Sequence, residues 1–363
     1  AGGPRVFGET SGKNALVVTP AADLDLAAAD LMKSAFGHAG QKCSAASLGI
    51  LVGSVGSSRR FREQLIDAVE SLRVGWPSDL GTTMGPVIEP PSGKLLKALT
   101  TLEEGETWLV EPKQLDETGR LWSPGLKDGV KPGSFFHMTE VFGPVLGLMH
   151  ADSLEEALEL QNATQFGLTA GIHSLDEDEI EYWREHVEAG NGYVNRHITG
   201  AIVQRQSFGG WKESVMGPGA KAGGPNYVAQ FGTWVADGVA RQGAPVMPRV
   251  RDLQEILAPL ARTEDDAAWL LASLRSDAYA WREELGIESD PSSLRAESNI
   301  FRYRPQPRVV VRAELSEGLD ADDRAADRTL VEVARLVLAA HLVGSSVRLS
   351  WDIALQPALK RLE

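Results

Sequence analysis

From Ala15 to Asn195 the chain alternates short apolar runs with amphipathic stretches, and this alternation limits the available folds more than any other feature. Runs at residues 15–18, 48–52, 107–110, 147–150 and 192–195 read as strands, and 167–173 as strand or turn. Between them lie helix signals. One starts at a cap, Asp23 or Asp25, and continues through Ala35 with Leu26, Leu31 and Met32 on one face. A second runs from Ser57 or Ser58 to Leu72, with Phe61, Leu65, Val69 and Leu72 at helical spacing. Residues 154–163 and 177–189 repeat the pattern. Strands separated by helices cannot close as hairpins, so the expected architecture is a mainly parallel α/β sheet.

Residues 208–224 form a glycine-rich loop, and 226–235 read as an edge strand or flap. Residues 236–250 then shift to a Gly/Pro/Arg linker. Beyond it, helices are expected at 253–258, 265–274 and 276–285, a strand at 308–313, a long helix at 323–342 and a strand at 346–351. That βαβ order predicts a second, smaller α/β domain over 251–363.

Composition narrows function mainly by exclusion. The chain has 363 residues, 43% hydrophobic and 24% charged, with formal charge 36 − 50 = −14, which argues against broad binding to nucleic acid or anionic membranes. The apolar stretch 330–347 is interrupted by Glu332, Arg335 and His341, so it reads as a buried helix. His38, His137 and the other histidines show no ligand spacing, so no metal is expected. A single cysteine, Cys43, forbids an intrachain disulfide and fits a reducing cytoplasm.

Cys43 follows a turn bounded by Gly37 and Gly40, whose backbone could approach a small ligand closely. Glu9 lies 43 − 9 = 34 residues upstream, ahead of the first strand. By itself a lone cysteine is more often a buried structural thiol than a nucleophile.

The segments E-T-S-G-K-N (Glu9 to Asn14) and G-Q-K-C-S-A (Gly40 to Ala45) together resemble the aldehyde dehydrogenase superfamily. Further matches follow in order: T-T-M-G-P-V-I from Thr82, E-V-F-G-P-V from Glu140, F-G-L-T-A-G-I from Phe166, G-N-G-Y-V-N-R from Gly190 and F-G-G from Phe208. They cover residues 5 to about 235. Within the superfamily, Glu9-Thr10, Cys43-Ser44 and N-R-H-I-T-G-A-I-V (195–203) leading to K-A-G-G-P-N-Y (221–227) resemble the L-glutamate γ-semialdehyde (1-pyrroline-5-carboxylate) dehydrogenases. The tail motif E-S-N-I-F-R-Y-R-P (297–305) resembles the C-terminal domain of bifunctional proline utilization A proteins, which carry an FAD-dependent proline dehydrogenase ahead of this module.

The resemblance implies NAD-dependent oxidation of L-glutamate γ-semialdehyde to L-glutamate. Cys43 would be the nucleophile, forming a thiohemiacetal and then a thioester, and Glu9 the general base. The Cys43 N–H would supply half of an oxyanion hole. Glu140 would accept bonds from the nicotinamide ribose, with Phe142 beside it. Ser44, Gly223 and Gly224 would hold the substrate's α-carboxylate, and Phe208 would pack its aliphatic part. A homo-oligomer through the flap is also implied.

Blander readings stand beside these: Glu9 or Ser44 as caps, Glu140 as a solvated charge, Phe142 as core, Gly223–Gly224 as a turn, and Lys13 as solvated. Asn195 and Arg196 read as structural. Departures are Ser11 and Val215 at positions where the family has glycine, and a loop to Lys221 longer by two residues. The family's cofactor-binding half has no counterpart here. An opening without Met and an apparently helical close at Leu362–Glu363 suggest that the chain continues at both ends. The competing expectations are another semialdehyde dehydrogenase, a non-catalytic assembly module, or a remnant with thiol reactivity alone.

Overall fold

Seven strands form one sheet in the first of two units, Ala1–Gly232 and Thr233–Glu363. The computed structural model describes residues 3–4, 6–217, 220–233, 235, 243–314 and 324–352. In chain order the sheet's strands are β1 (Asn14–Val18), β2 (Ala46–Val52), β3 (Thr107–Val110), β4 (Gly125–Asp128), β5 (Val145–Ala151), β6 (Thr169–His173) and β7 (Asn191–Val194). Their spatial order is β3-β4-β5-β2-β1-β6-β7, and every pair is parallel except β3 with β4. Shared strand direction places the amino ends of β1, β2, β4, β5, β6 and β7 along one edge.

The longer helices of this unit are α1 (Leu24–Phe36), α2 (Arg59–Glu70), α3 (Gly93–Thr100), α4 (Leu154–Asn162) and α5 (Glu177–His186). Asp23, not Asp25, caps α1 by accepting from the N–H groups of Asp25 and Leu26; Asp25 instead meets Arg60 of α2 at 2.6 Å. Ser58 caps α2, which buries Phe61, Leu65 and Val69. Leu16, Val17, Leu31, Leu48, Ile50, Leu148 and Ile172 fill the core, so β1 reads as an unbroken apolar run, as expected of a strand covered on both faces.

Between residues 74 and 144, where the chain is rich in Gly and Pro, the structure adds to the expected strand at 107–110 helix α3, strand β4 and a single helical turn, Phe135–Met138. β4 escaped notice because its Lys127 is a buried cation, paired with Glu106 at 3.0 Å. Helix α5 ends at His186, three residues before expected (189 − 186), where extended Val187 turns into the core. Residues 226–235 were expected as an edge strand or flap. Their described part instead forms a short 3₁₀ turn, Val228–Phe231, in which Phe231 packs on Tyr227 and Phe7 at ring distances of 5.7 and 6.2 Å.

The second unit contains α6 (Pro248–Leu257), α7 (Glu264–Ala280), β8 (Arg308–Ala313), α8 (Arg324–Val343) and β9 (Ser346–Trp351). β8 and β9 are parallel neighbours with α8 between them in sequence, which is a βαβ unit. The two helices expected between 265 and 285 are one helix, α7, running into a π turn, Trp281–Leu285. Leu270, Leu274 and Ala278 of α7 share a core with Leu330, Val331, Ala334 and Leu338 of α8, and a continuous apolar stripe favours a continuous helix. Helix α6 begins inside the stretch expected as linker; residues 236–242 of that stretch and the expected terminal helix at 362–363 lie outside the described residues.

Candidate active site

The residues singled out by sequence gather at the amino edge of the sheet, the edge opposite the one where open α/β sheets usually bind ligands. Asn14, at the start of β1, organises it. Its Nδ2 donates to the carbonyls of Cys43 (2.8 Å) and Ala45 (2.9 Å), and its Oδ1 accepts from the Thr169 N–H at 3.0 Å. One buried amide thus ties the amino ends of β1, β2 and β6 beneath the thiol. Sequence reading passed over Asn14; the available signal was a polar residue opening an apolar run directly after the Glu9 motif.

The turn before Cys43 is tightly wound. His38 (φ 56°), Ala39 (φ 52°) and Gly40 (φ 68°) all adopt left-handed conformations, uncommon for residues with side chains. At Gly40 a Cβ would lie 2.1 Å from the Gly143 carbonyl oxygen, so only glycine lets this turn pack against 140–143. Gln41 reinforces the contact by donating to Phe142 O and accepting from Ile88 N–H.

Cys43 is a half-buried free thiol. Burial raises its pKa above the ordinary value, the N–H groups of Ser44 and Cys43 oppose the rise, and the charge of Glu9 adds to it. The resting group is therefore a thiol that needs a base to become nucleophilic. Glu9 lies within electrostatic reach. Its backbone is fixed by a short antiparallel pair, Gly8–Glu9 with Val215–Met216, and its Oε1 accepts from the Gly210 N–H at 3.1 Å. Though the residue as a whole is exposed, partial loss of water around the carboxyl raises its pKa, with Gly210 and Lys221 pulling the other way. Val215, a departure from the family pattern, is thus the ladder partner of Glu9, and Ser11 accepts the Ser214 hydroxyl at its carbonyl.

Glu140 reaches the same edge. Its Oε1 accepts from the Gly12 N–H at 3.1 Å, and a Cβ on Gly12 would lie 2.9 Å from the Cys43 carbonyl oxygen. Phe142 beside it is partly exposed and holds φ 58°. The bond to Gly12 fixes the orientation of the Glu140 carboxylate and leaves its second oxygen able to accept hydroxyl donors.

Ser44 is buried, its carbonyl accepting from the Thr169 hydroxyl at 3.3 Å. Phe208 is half-buried and bridges Ala222 through two backbone bonds. Gly223 has φ 74°, while the Gly224 N–H donates to Lys221 O at 2.9 Å. Of the longer loop leading here, residues 218–219 lie outside the described residues. Asn195 is structural in its contacts, exchanging hydrogen bonds with the Ser174 backbone, and the Arg196 guanidinium lies over the Tyr193 ring.

Lys13 corrects the sequence reading: it is buried, not solvated. Its Nζ has no hydrogen-bond partner among the described residues and lies 4.2 Å from the Phe136 ring centroid. Burial lowers its pKa to about 7, with Glu140 opposing. Lys13→Met should therefore stabilise the fold by about 1–4 kcal/mol, since it removes an unpaired buried charge at similar volume. The unfolded chain keeps this proton up to 10.5, so the native-state penalty is full below about pH 7 and fades as pH rises toward 10.5. Thermal midpoints of both proteins across that range should converge at the alkaline end; a gain independent of pH would contradict this account.

Residues 1–234 match the aldehyde dehydrogenase family. A 1-pyrroline-5-carboxylate dehydrogenase of Geobacillus sp. (strain WCH70) is 38% identical over 225 residues, covering 62% of this chain and 43% of that protein. Among solved structures, Proline Utilization A (PutA) from Corynebacterium freiburgense is 55% identical with a TM-score of 0.81, covering 94% of this chain and 33% of that one. A Thermus 1-pyrroline-5-carboxylate dehydrogenase with bound NAD is 36% identical with a TM-score of 0.56, covering 62% and 43% respectively. The chain spans less than half the length of each of these relatives.

Proposed function

Because the chain belongs to the aldehyde dehydrogenase family, we propose that it supplies the thiol site of an NAD-dependent enzyme oxidising L-glutamate γ-semialdehyde to L-glutamate, the second step of proline catabolism. The observation that carries this reading is the meeting of the Glu9–Asn14 segment with the Cys43 turn, where Asn14 Nδ2 donates to the Cys43 carbonyl at 2.8 Å and the Glu9 carboxylate is anchored to the Gly210 N–H.

Cys43 gives up its proton to solvent water, which leaves Glu9, a carboxylate of raised basicity, ionised for the later step. The sulfur then adds to the aldehyde carbon. The oxygen that gains charge would be met by the Cys43 N–H, one of the two amides that oppose the rise of the thiol pKa. Glu140 would hold the ribose of NAD, and the bound cofactor would supply the hydride acceptor for oxidation at the carbon carried by Cys43, which then holds a thioester. Glu9 next removes a proton from water, whose oxygen attacks the thioester carbon. The C–S bond breaks, the acid leaves and the thiol is restored. Ser44 and the Gly223–Gly224 turn would retain the α-carboxylate, and Phe208 would cover the methylene groups. The names of the Geobacillus and Thermus relatives support this substrate over other aldehydes. The PutA likeness, which extends through the second unit, supports a place within a larger protein of that type.

Turnover of L-glutamate γ-semialdehyde and succinate semialdehyde by the full-length protein tests the assignment. The first should have the higher kcat/KM, by about tenfold or more, because only it presents an α-carboxylate and ammonium to the Ser44–Gly224 end. Preference for succinate semialdehyde would overturn it.

A further inference from the structure

Lys221 has no part in the chemistry above, yet it joins three segments that carry the site. Its Nζ donates to Gly190 O, to Asn191 Oδ1 at 3.3 Å and to Gly209 O at 3.1 Å. These oxygens are forced together, since a Cβ on Gly190 would lie 1.8 Å from the Gly209 oxygen. Three converging acceptors require three N–H donors, which an ammonium has and a neutral amine lacks. The next residue, Gly210, gives its N–H to Glu9. Asn191 Oδ1 accepts from the Gly209 N–H as well, so the turn is held from both sides. On the other flank, Ala222 and Phe208 exchange two backbone bonds.

We propose that Lys221 is a positioning residue for Glu9, pinning the turn that carries the Gly210 N–H and setting a positive charge opposite the Glu9 carboxylate. This rests on the reading of Glu9 as the base. Glu9 is the charged group that acts on Lys221, and beyond it lie the Cys43 thiol and Lys42 on the turn before β2. Burial lowers the Lys221 pKa to about 8, with Glu9 opposing. The clamp is therefore complete near neutrality and loses a proton in mildly alkaline solution. Lys221 is also the residue from which the Gly223–Gly224 loop departs, so the loop and the base share one anchor.

Acyl transfer from p-nitrophenyl acetate tests this without cofactor or aldehyde. Cys43 sulfur displaces p-nitrophenolate to form an acetyl thioester, and water activated by Glu9 releases acetate and the thiol. Deacylation by the full-length protein is measured against pH for wild type, Lys221→Met, Glu9→Gln and the double variant. Lys221→Met should slow deacylation about tenfold or more and move its acid limb upward, while adding nothing in the Glu9→Gln background. An equal loss in both backgrounds, or no loss, overturns the proposal, as does a Glu9→Gln protein that deacylates normally. If Lys221→Met does not fold, the wild-type profile decides: deacylation must decline as pH passes about 8, and a flat profile overturns the proposal. Failure to oxidise glutamate semialdehyde would sink the dehydrogenase reading and leave this cycle unaffected.

Discussion

Cys43→Ala in the full-length protein should lower aldehyde oxidation by at least about 10⁴-fold, the scale on which losing a covalent nucleophile is felt. The fold should hardly notice. The turn carrying residue 43 is held by its carbonyl through Asn14 and by the packing of Gly40 on Gly143, neither of which involves the sulfur. The thermal midpoint should therefore change by no more than about 1 kcal/mol in equivalent stability. Steady-state rates and thermal denaturation of the same preparation give both numbers. Residual activity within about tenfold of wild type would mean that the thiol is structural after all, the reading its half-burial alone would favour.

Glu9→Gln should cost about 10²–10⁴ in turnover, the usual contribution of a general base. Glutamine keeps an oxygen that can accept the Gly210 N–H, so the loop should stay in place and the loss should reflect chemistry. A second effect has the opposite sign. The Glu9 charge raises the Cys43 pKa, so removing it should speed alkylation of Cys43 by iodoacetamide near neutral pH while dehydrogenase turnover falls. Wild type should also lose activity on acidification through a pKa above the ordinary 4.5, because the base works only when ionised and its folded-state pKa is raised. That limb should disappear in the variant. If turnover and alkylation fell together, Glu9 would be activating the thiol and not chiefly the water.

What escaped the sequence did so for identifiable reasons. Strand β4 was hidden by Lys127, because a cation in a strand reads as exposed unless its partner is known, and Glu106 lies 127 − 106 = 21 residues away. Lys13 was taken as solvated for the same reason: charge in a sequence signals water until packing removes it. The edge-strand reading of 226–235 rests on apolar residues that satisfy a strand pattern, but Tyr227 and Phe231 are four apart and meet on one side of a turn.

The sequence by itself determined the parallel α/β architecture, since apolar periodicity and intervening helices are local properties. It also offered Cys43 as the single thiol and Glu9 as its candidate carboxylate, because the ordered motifs from Glu9 to Tyr227 are specific as a set. Only the tertiary structure decided that the candidate site occupies the amino edge of the sheet, that Asn14 carries the turn beneath Cys43, and that Lys13 is buried and Lys221 partly buried, with burial lowering the pKa of both. Those outcomes depend on which backbone oxygens and charges are brought together from distant segments, and on how much water is excluded when they meet. Neither quantity is encoded at any one position of the chain.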